Sequence, residues 1–239
     1  MHRAMPLLAL IAAGLAACGG DSSGPDARFA CLGQALPTTA PATIVITGQA
    51  ADIVTQGPVS SAPVFAFRTG DTTTLAADTT NTPGFYSLTI STGGSPVDGY
   101  LRVTQSTYMT TYAYPAQPLR GDTVNNILMV TPTEFSLLAA AAGIMPQPGK
   151  AFIGVVVKDC TGAAITGATV TSTPGATVLY NVAGVPSSSA TATAADGIAY
   201  IANVAAGNVT IMATASGHTL RQHVVNAHAD AITLTEIRP

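Results

Sequence analysis

Short runs of Val, Ile, Thr, Leu and Tyr recur along this chain, and Gly, Pro, Asn or Asp interrupts each within about ten residues. Several runs alternate apolar with polar residues, the period of a half-buried strand. A chain punctuated this often can bury its apolar residues only in layered sheets joined by turns. The expected class is therefore all-β, a sandwich or a barrel.

The runs fall into two blocks. In the first, residues 42–130, the strand candidates are Thr43–Ala50, Pro63–Arg68, Thr73–Ala77, Phe85–Ser91, Tyr100–Gln105 and Tyr108–Tyr114. In the second, residues 150–239, they are Ala151–Lys158, Ala168–Ser172, Thr177–Asn181, Ala190–Ala194, Ile198–Val204, Asn208–Ala215, Thr219–Asn226 and Ala231–Ile237. Asp196-Gly197 is a strong hairpin signal. Between the blocks, in residues 131–149, Thr131 is followed three residues later by Glu134, with Pro132 at the first helical position. That pattern is a capping box. Gly143 suits a left-handed cap and Pro146 blocks continuation, so one short helix is expected. Its apolar face, Phe135, Leu138, Ala139 and Ala142, needs a sheet to dock on, because a helix of about three turns is marginal alone.

The two blocks read as copies of one unit. Val59-Ser60-Ser61-Ala62-Pro63-Val64 parallels Ile165-Thr166-Gly167-Ala168-Thr169-Val170, and Gly84-Phe85-Tyr86-Ser87-Leu88 parallels Gly197-Ile198-Ala199-Tyr200-Ile201. Order is kept while spacing drifts, as loop insertions cause. The second block resembles the carboxypeptidase regulatory-like domain, a transthyretin-like (prealbumin-like) sandwich. The residues that carry the resemblance are Gly154-Val155-Val156-Val157-Lys158-Asp159, then Ile165 to Val170, Ala195-Asp196-Gly197, and Val204 to Ile211. The first block fits more loosely, with Pro83 in place of the turn aspartate. The resemblance implies two transthyretin-like antiparallel β-sandwiches joined by one short α-helix. It also implies accessory or adhesion modules that usually have no active site.

The start of the chain says where such a protein lives. One cation, Arg3, precedes an apolar run from Met5 to Leu15, which is shorter than the ~20 residues that span a bilayer. A small-residue cleavage pattern follows, and the whole reads as a secretory signal over residues 1–17. Leu15-Ala16-Ala17-Cys18 resembles the lipobox of bacterial lipoproteins, which implies lipid on Cys18 and an anchor in the cell envelope. With two membranes the outer one is expected, because Gly19 follows the cysteine; with one, its outer face. Residues 18–41, rich in Gly, Ser, Pro and Ala, read as a flexible tether. The sequence has three cysteines, so lipid on Cys18 leaves Cys31 and Cys160 to pair in an oxidising compartment.

Charge excludes some partners. Charged residues make up 9% of the chain, against a usual ~25%, and the formal net charge is −3. The two lysines, Lys150 and Lys158, give no footprint for nucleic acid. His218, His223 and His228 have no cysteine or acidic cluster beside them in the pattern of a zinc site, so neither metal nor other cofactor is expected. Nucleophile-elbow and phosphate-loop motifs are missing, and the expectation is a protein without catalysis. Arg120-Gly121-Asp122 spells an integrin-recognition tripeptide, and an ordinary turn accounts for it as well.

Tyr108, Tyr112 and Tyr114 share parity along one strand candidate. If strand-borne they form a stripe that could stack on sugar rings; alternatively the rings fill the first sandwich or the helix interface. The leading expectation is an envelope-anchored, non-catalytic lipoprotein that serves as a structural or interaction module. Glycan binding through the tyrosines is one alternative. An accessory subunit of an envelope hydrolase or dioxygenase is another.

Overall fold

The computed structural model describes residues 26–239; the signal segment and Cys18 lie outside the described residues. The first half holds β1 (Thr43–Asp52), β2 (Pro63–Arg68), β3 (Thr74–Thr79), β4 (Phe85–Ser91), β5 (Gly99–Val103), β6 (Thr111–Tyr114), β7 (Thr123–Val124) and β8 (Ile127–Met129). Helix α1 (Pro132–Ala141) follows. The second half holds β9 (Lys150–Val157), β10 (Thr169–Thr173), β11 (Thr177–Val182), β12 (Val185–Ser187) and β13 (Ile198–Ala205). It continues with β14 (Gly207–Ala215), β15 (His218–Thr219), β16 (His223–Ala227) and β17 (Ile232–Ile237).

Alternation decides what each strand buries. In β4, Tyr86, Leu88 and Ile90 point inward while Phe85, Ser87 and Thr89 face out. In β9, Ala151, Ile153, Val155 and Val157 are buried. Fully burying one such Ile or Leu contributes about 1.5–3 kcal/mol. One core gathers around Ile44, Leu88, Ile90 and Met129, the other around Ile153, Ile201, Ile211 and Ile237.

The sheets join the halves. Strands β4, β1 and β7 form one sheet, with β8 also on β1, and β10, β14 and β15 form another, with β16 also on β14. A nine-stranded sheet runs β12-β11-β13-β9-β17-β6-β5-β2-β3 through both halves. Its middle strand, β17, pairs in parallel with β9 on one side and β6 on the other. β1 also takes β7 and β8 in parallel. The expectation of purely antiparallel sandwiches is corrected here. Parallel pairing needs no hairpin, so no turn signal announces it.

The two cores lie on opposite faces of the shared sheet. Leu234 and Ala113 are cross-strand partners and pack toward the first core, while Tyr114 and Ile237 belong to the second. Neighbouring residues of a strand point to opposite faces, which forces this division.

The repeat is written in hydrogen bonds. Thr80 Oγ1 accepts from the Ala62 N–H at 2.9 Å and donates to the Val59 carbonyl at 2.8 Å. Thr193 Oγ1 accepts from the Ala168 N–H at 2.9 Å and donates to the Ile165 carbonyl at 2.6 Å. Asp52 and Asp159 each fold a tight turn by accepting backbone N–H groups and a threonine hydroxyl. Gly84 and Gly197 both have positive φ, and a Cβ would meet the Ala50 carbonyl oxygen at 2.6 Å or that of Val157 at 2.7 Å. Only glycine fits either place.

Helix α1 has its capping box: Thr131 Oγ1 accepts from the Glu134 N–H, and Glu134 accepts from the Thr131 N–H at 2.9 Å. Gly143, at φ 73°, closes the other end, with the Ile144 N–H donating to Ala139 at 2.8 Å. Ala139 and Ala142 are buried, and Phe135 meets Phe152 edge-on at 4.5 Å. The helix therefore covers the second half's outer sheet face, on Phe152, Leu179 and Ala202.

The stretch expected as a tether is partly docked. Asp26 caps a 3-10 turn, Ala27–Phe29, and Phe29 is buried in the second core. Its ring stacks on His218 at 4.4 Å between centroids. Cys31 and Cys160 form a disulfide, with Cα atoms 5.7 Å apart and 129 residues between them in sequence. The Cys160 N–H donates to the Arg28 carbonyl, and Arg221 donates to that of Gln34 at 2.9 Å. Phe29 and Leu32, spaced one turn apart, supply the apolar contact that a free tether lacks.

A candidate site on the seam between the halves

The outer face of β2, β5 and β6 carries two rows of side chains that cross the strands. Cross-strand pairing sets Phe65 beside Arg102, Arg102 beside Tyr112, and Tyr112 beside Thr233. The second row runs Phe67, Tyr100 and Tyr114, with ring centroids 5.3 and 5.0 Å apart. Such stacked contacts contribute about 0.5–1.5 kcal/mol beyond area burial. Two residues of the second half close over this face. His228 stacks on Tyr112 at 3.7 Å, and the Tyr114 hydroxyl reaches the Asn226 carbonyl at 3.4 Å.

Arg102 is the charged member. Its guanidinium lies 5.1 Å from the Phe65 centroid and 5.0 Å from that of Phe67. Among the described residues it makes no hydrogen bond or ion pair, and its Nε is buried without a partner. His228 Nε2, His223 Nε2 and Thr233 Oγ1 are buried and unpartnered too. Burial, and then the Arg102 charge, hold the His228 pKa below its ordinary value. Burial lowers that of His223 while Asp98 opposes it. Burial also raises the hydroxyls of Tyr100 and Tyr114.

The expected tyrosine stripe is divided. Tyr112 is half-buried and Tyr114 buried, both on the seam face. Tyr108 precedes β6, in a turn where its N–H donates to the Gln105 carbonyl. It packs on the first core near Asp52, and burial followed by that carboxylate raises its pKa. Arg102 and His228 were missed as partners of the tyrosines. The alternation of Tyr100 and Arg102 with Leu101 and Val103 placed them on one face, but nothing local pointed to His228.

The remaining singled-out residues have separate places. His218 stacks on Phe29, away from His223 and His228, and no group of three or more metal-ligating side chains forms among the described residues. Asp122 accepts the Val45 N–H at 2.8 Å, which covers an unpaired stretch of β1, so the Arg-Gly-Asp loop is tied to the sheet. A groove of about 900 Å³ runs beside this loop, with Tyr200, Lys158, Glu236 and Arg238 along its wall. Burial raises the Glu236 carboxyl, but Lys158 and Arg238 more than offset this and leave its pKa lowered.

No family model matches the chain. No curated protein matches it either. Among solved structures it is similar to the Bacillus anthracis TIE protein at 10% identity and TM-score 0.29, over 81% of this chain and 33% of that one. It therefore spans about a third of that protein's length. It is also similar to the shaft pilin SpaA from Lactobacillus rhamnosus GG, at 11% identity and TM-score 0.25, over 84% of this chain and 98% of the pilin. A Streptococcal ancillary pilin follows at 8% identity and TM-score 0.27, over 82% of this chain and 62% of that one.

Proposed function

We propose that the chain is a non-catalytic lipoprotein of the cell envelope, in which two transthyretin-like sandwiches act as one stiff structural or interaction module. The Cys31–Cys160 disulfide carries this reading. Disulfides persist in oxidising compartments, which fits export. The pairing also leaves Cys18, inside the lipobox-like stretch, as the remaining one of three cysteines. β17 and the disulfide both tie the halves or the leader together, so the module would move as a unit against whatever it contacts. Lipid on Cys18 would hold it to a membrane, the outer one where the source has two, because two or more acyl chains give stable anchoring.

The test is fractionation of cells that make the wild type or Cys18→Ser. The wild type is expected with membranes and labelled by fatty acid, and the variant unlabelled and either unprocessed or released. A mature amino terminus at another residue, without lipid, would overturn the proposal.

A further inference from the structure

We propose that the seam binds a carboxylate-bearing saccharide, with Arg102 as its anion anchor. Arg102 is half-buried and has no counter-charge: the ion pairs of the described residues are Asp26–Arg28, Lys158–Glu236 and Arg238–Glu236. Its Nε is buried and unpartnered, while its terminal nitrogens keep contact with solvent. Buried polar atoms are nearly always hydrogen-bonded, so an unpaired cluster marks a place where a ligand or water completes the structure. Three of the six such atoms among the described residues gather here. Arg102 Nε and Thr233 Oγ1 flank Tyr112 in one cross-strand row, and His228 Nε2 sits on the ring stacked over Tyr112.

The chemistry of the surroundings selects the ligand. A guanidinium presents a planar fork that matches a carboxylate, and this one lies within about 5 Å of the Phe65 and Phe67 ring centroids. The acidic groups nearest this face are Asp98, just before β5, whose charge acts on His223, and Asp71, whose charge acts on Tyr100; neither forms an ion pair with Arg102. Half-exposed Phe65 and Tyr112 stand on either side of Arg102, about two strand spacings or ~10 Å apart. Half-exposed Phe65 suits the C–H face of a sugar, while the Tyr112 hydroxyl, on a ring whose face His228 covers, suits a ring hydroxyl. A peptide strand is disfavoured, because the backbone of β2, β5 and β6 is already paired on both sides and offers no free edge.

The test is calorimetric titration of the full chain with an oligosaccharide of galacturonic acid and with its carboxyl-reduced, neutral counterpart. Saturable binding of the acidic form is expected, with the neutral form weaker by roughly tenfold or more, the size of one charge-assisted contact. Arg102→Ala removes the contacts with both phenylalanines, so Arg102→Gln, which keeps the stem, serves as the second variant. Folding of each is checked by its thermal transition. A folded Arg102→Gln chain is expected to lose the same factor. Four results would overturn the site: no saturation by the wild type, equal binding of the neutral sugar, unchanged binding by Arg102→Gln, or acetate matching the saccharide. Binding is read whether or not Cys18 carries lipid, so failure here and failure of membrane attachment are separate outcomes.

Discussion

At the scale of residues, two half-buried histidines, His223 and His228, govern how stability responds to mild acid. His223 and His228 both have pKa values below the ordinary 6.5, because burial, joined by Arg102 at His228, penalises the imidazolium. In the unfolded chain both titrate near the ordinary value. A depressed folded pKa means that the unfolded state binds protons first as pH falls. Their contribution is therefore complete above about pH 6.5 and is lost progressively below it. The thermal midpoint is expected to fall between pH 7.5 and 5, and a His223→Gln, His228→Gln chain is expected to show a flatter profile over the same range. An identical slope in the double variant would mean that the histidines are not the cause. Asp52 and Asp159 act in a different window. Their carboxyls are lowered, Asp52 chiefly by the Thr55 N–H and Asp159 chiefly by the Thr161 hydroxyl, so their contribution is lost only below the ordinary carboxylate value of 3.8.

At the scale of elements, what was legible in the sequence was local. The capping box at Thr131 and Glu134, Gly143 and Pro146 bounded α1, because each acts within one turn of the backbone. Thr131→Ala should remove the hydroxyl that accepts the Glu134 N–H and cost about 0.5–2 kcal/mol. Denaturant unfolding checks this, and a loss under a few tenths would mean that docking on Phe152 and Leu179, rather than the cap, holds the helix. The alternation of β4, β9 and β14 was legible for the same reason, since period-two patterning is a property of the strand itself. β6 is shorter than its sequence pattern suggests. The candidate ran from Tyr108, but the turn at Gln105 to Tyr108 delays pairing until Thr111, and this moved Tyr108 off the seam. The pattern of β17 marks a last strand of the second block, and its placement between β9 and β6 was not legible. Its buried Thr233 and Thr235 were the one available signal: polar residues tolerated inside because neighbouring strands surround them, with Thr235 reaching the Tyr114 carbonyl at 3.2 Å.

At the scale of the molecule, the leader is held by one covalent bond and a small docking surface. Phe29 and Leu32 bury against the second core, and the Arg28 and Gln34 carbonyls accept from the Cys160 N–H and the Arg221 guanidinium, but a segment this short cannot offset its ordering entropy by such contacts alone. The disulfide changes the balance by closing a loop of 129 residues that includes the entire first half. Loop-closure entropy assigns such a link on the order of 4–5 kcal/mol, and measured values commonly fall lower. Replacing both cysteines, Cys31→Ser with Cys160→Ser, avoids a stray thiol. For a chain of this size that loss corresponds to a fall in the thermal midpoint of roughly 5–15 °C. The same variant should free the leader, so trypsin is expected to cut after Arg28 faster than in the oxidised wild type, while the sheets resist. The two readings separate the roles of the bond. A lowered midpoint with unchanged cleavage at Arg28 would mean that docking of Phe29 alone keeps the leader in place. Faster cleavage with an unchanged midpoint would mean that the link positions the leader without stabilising the halves, whose union would then rest on β17.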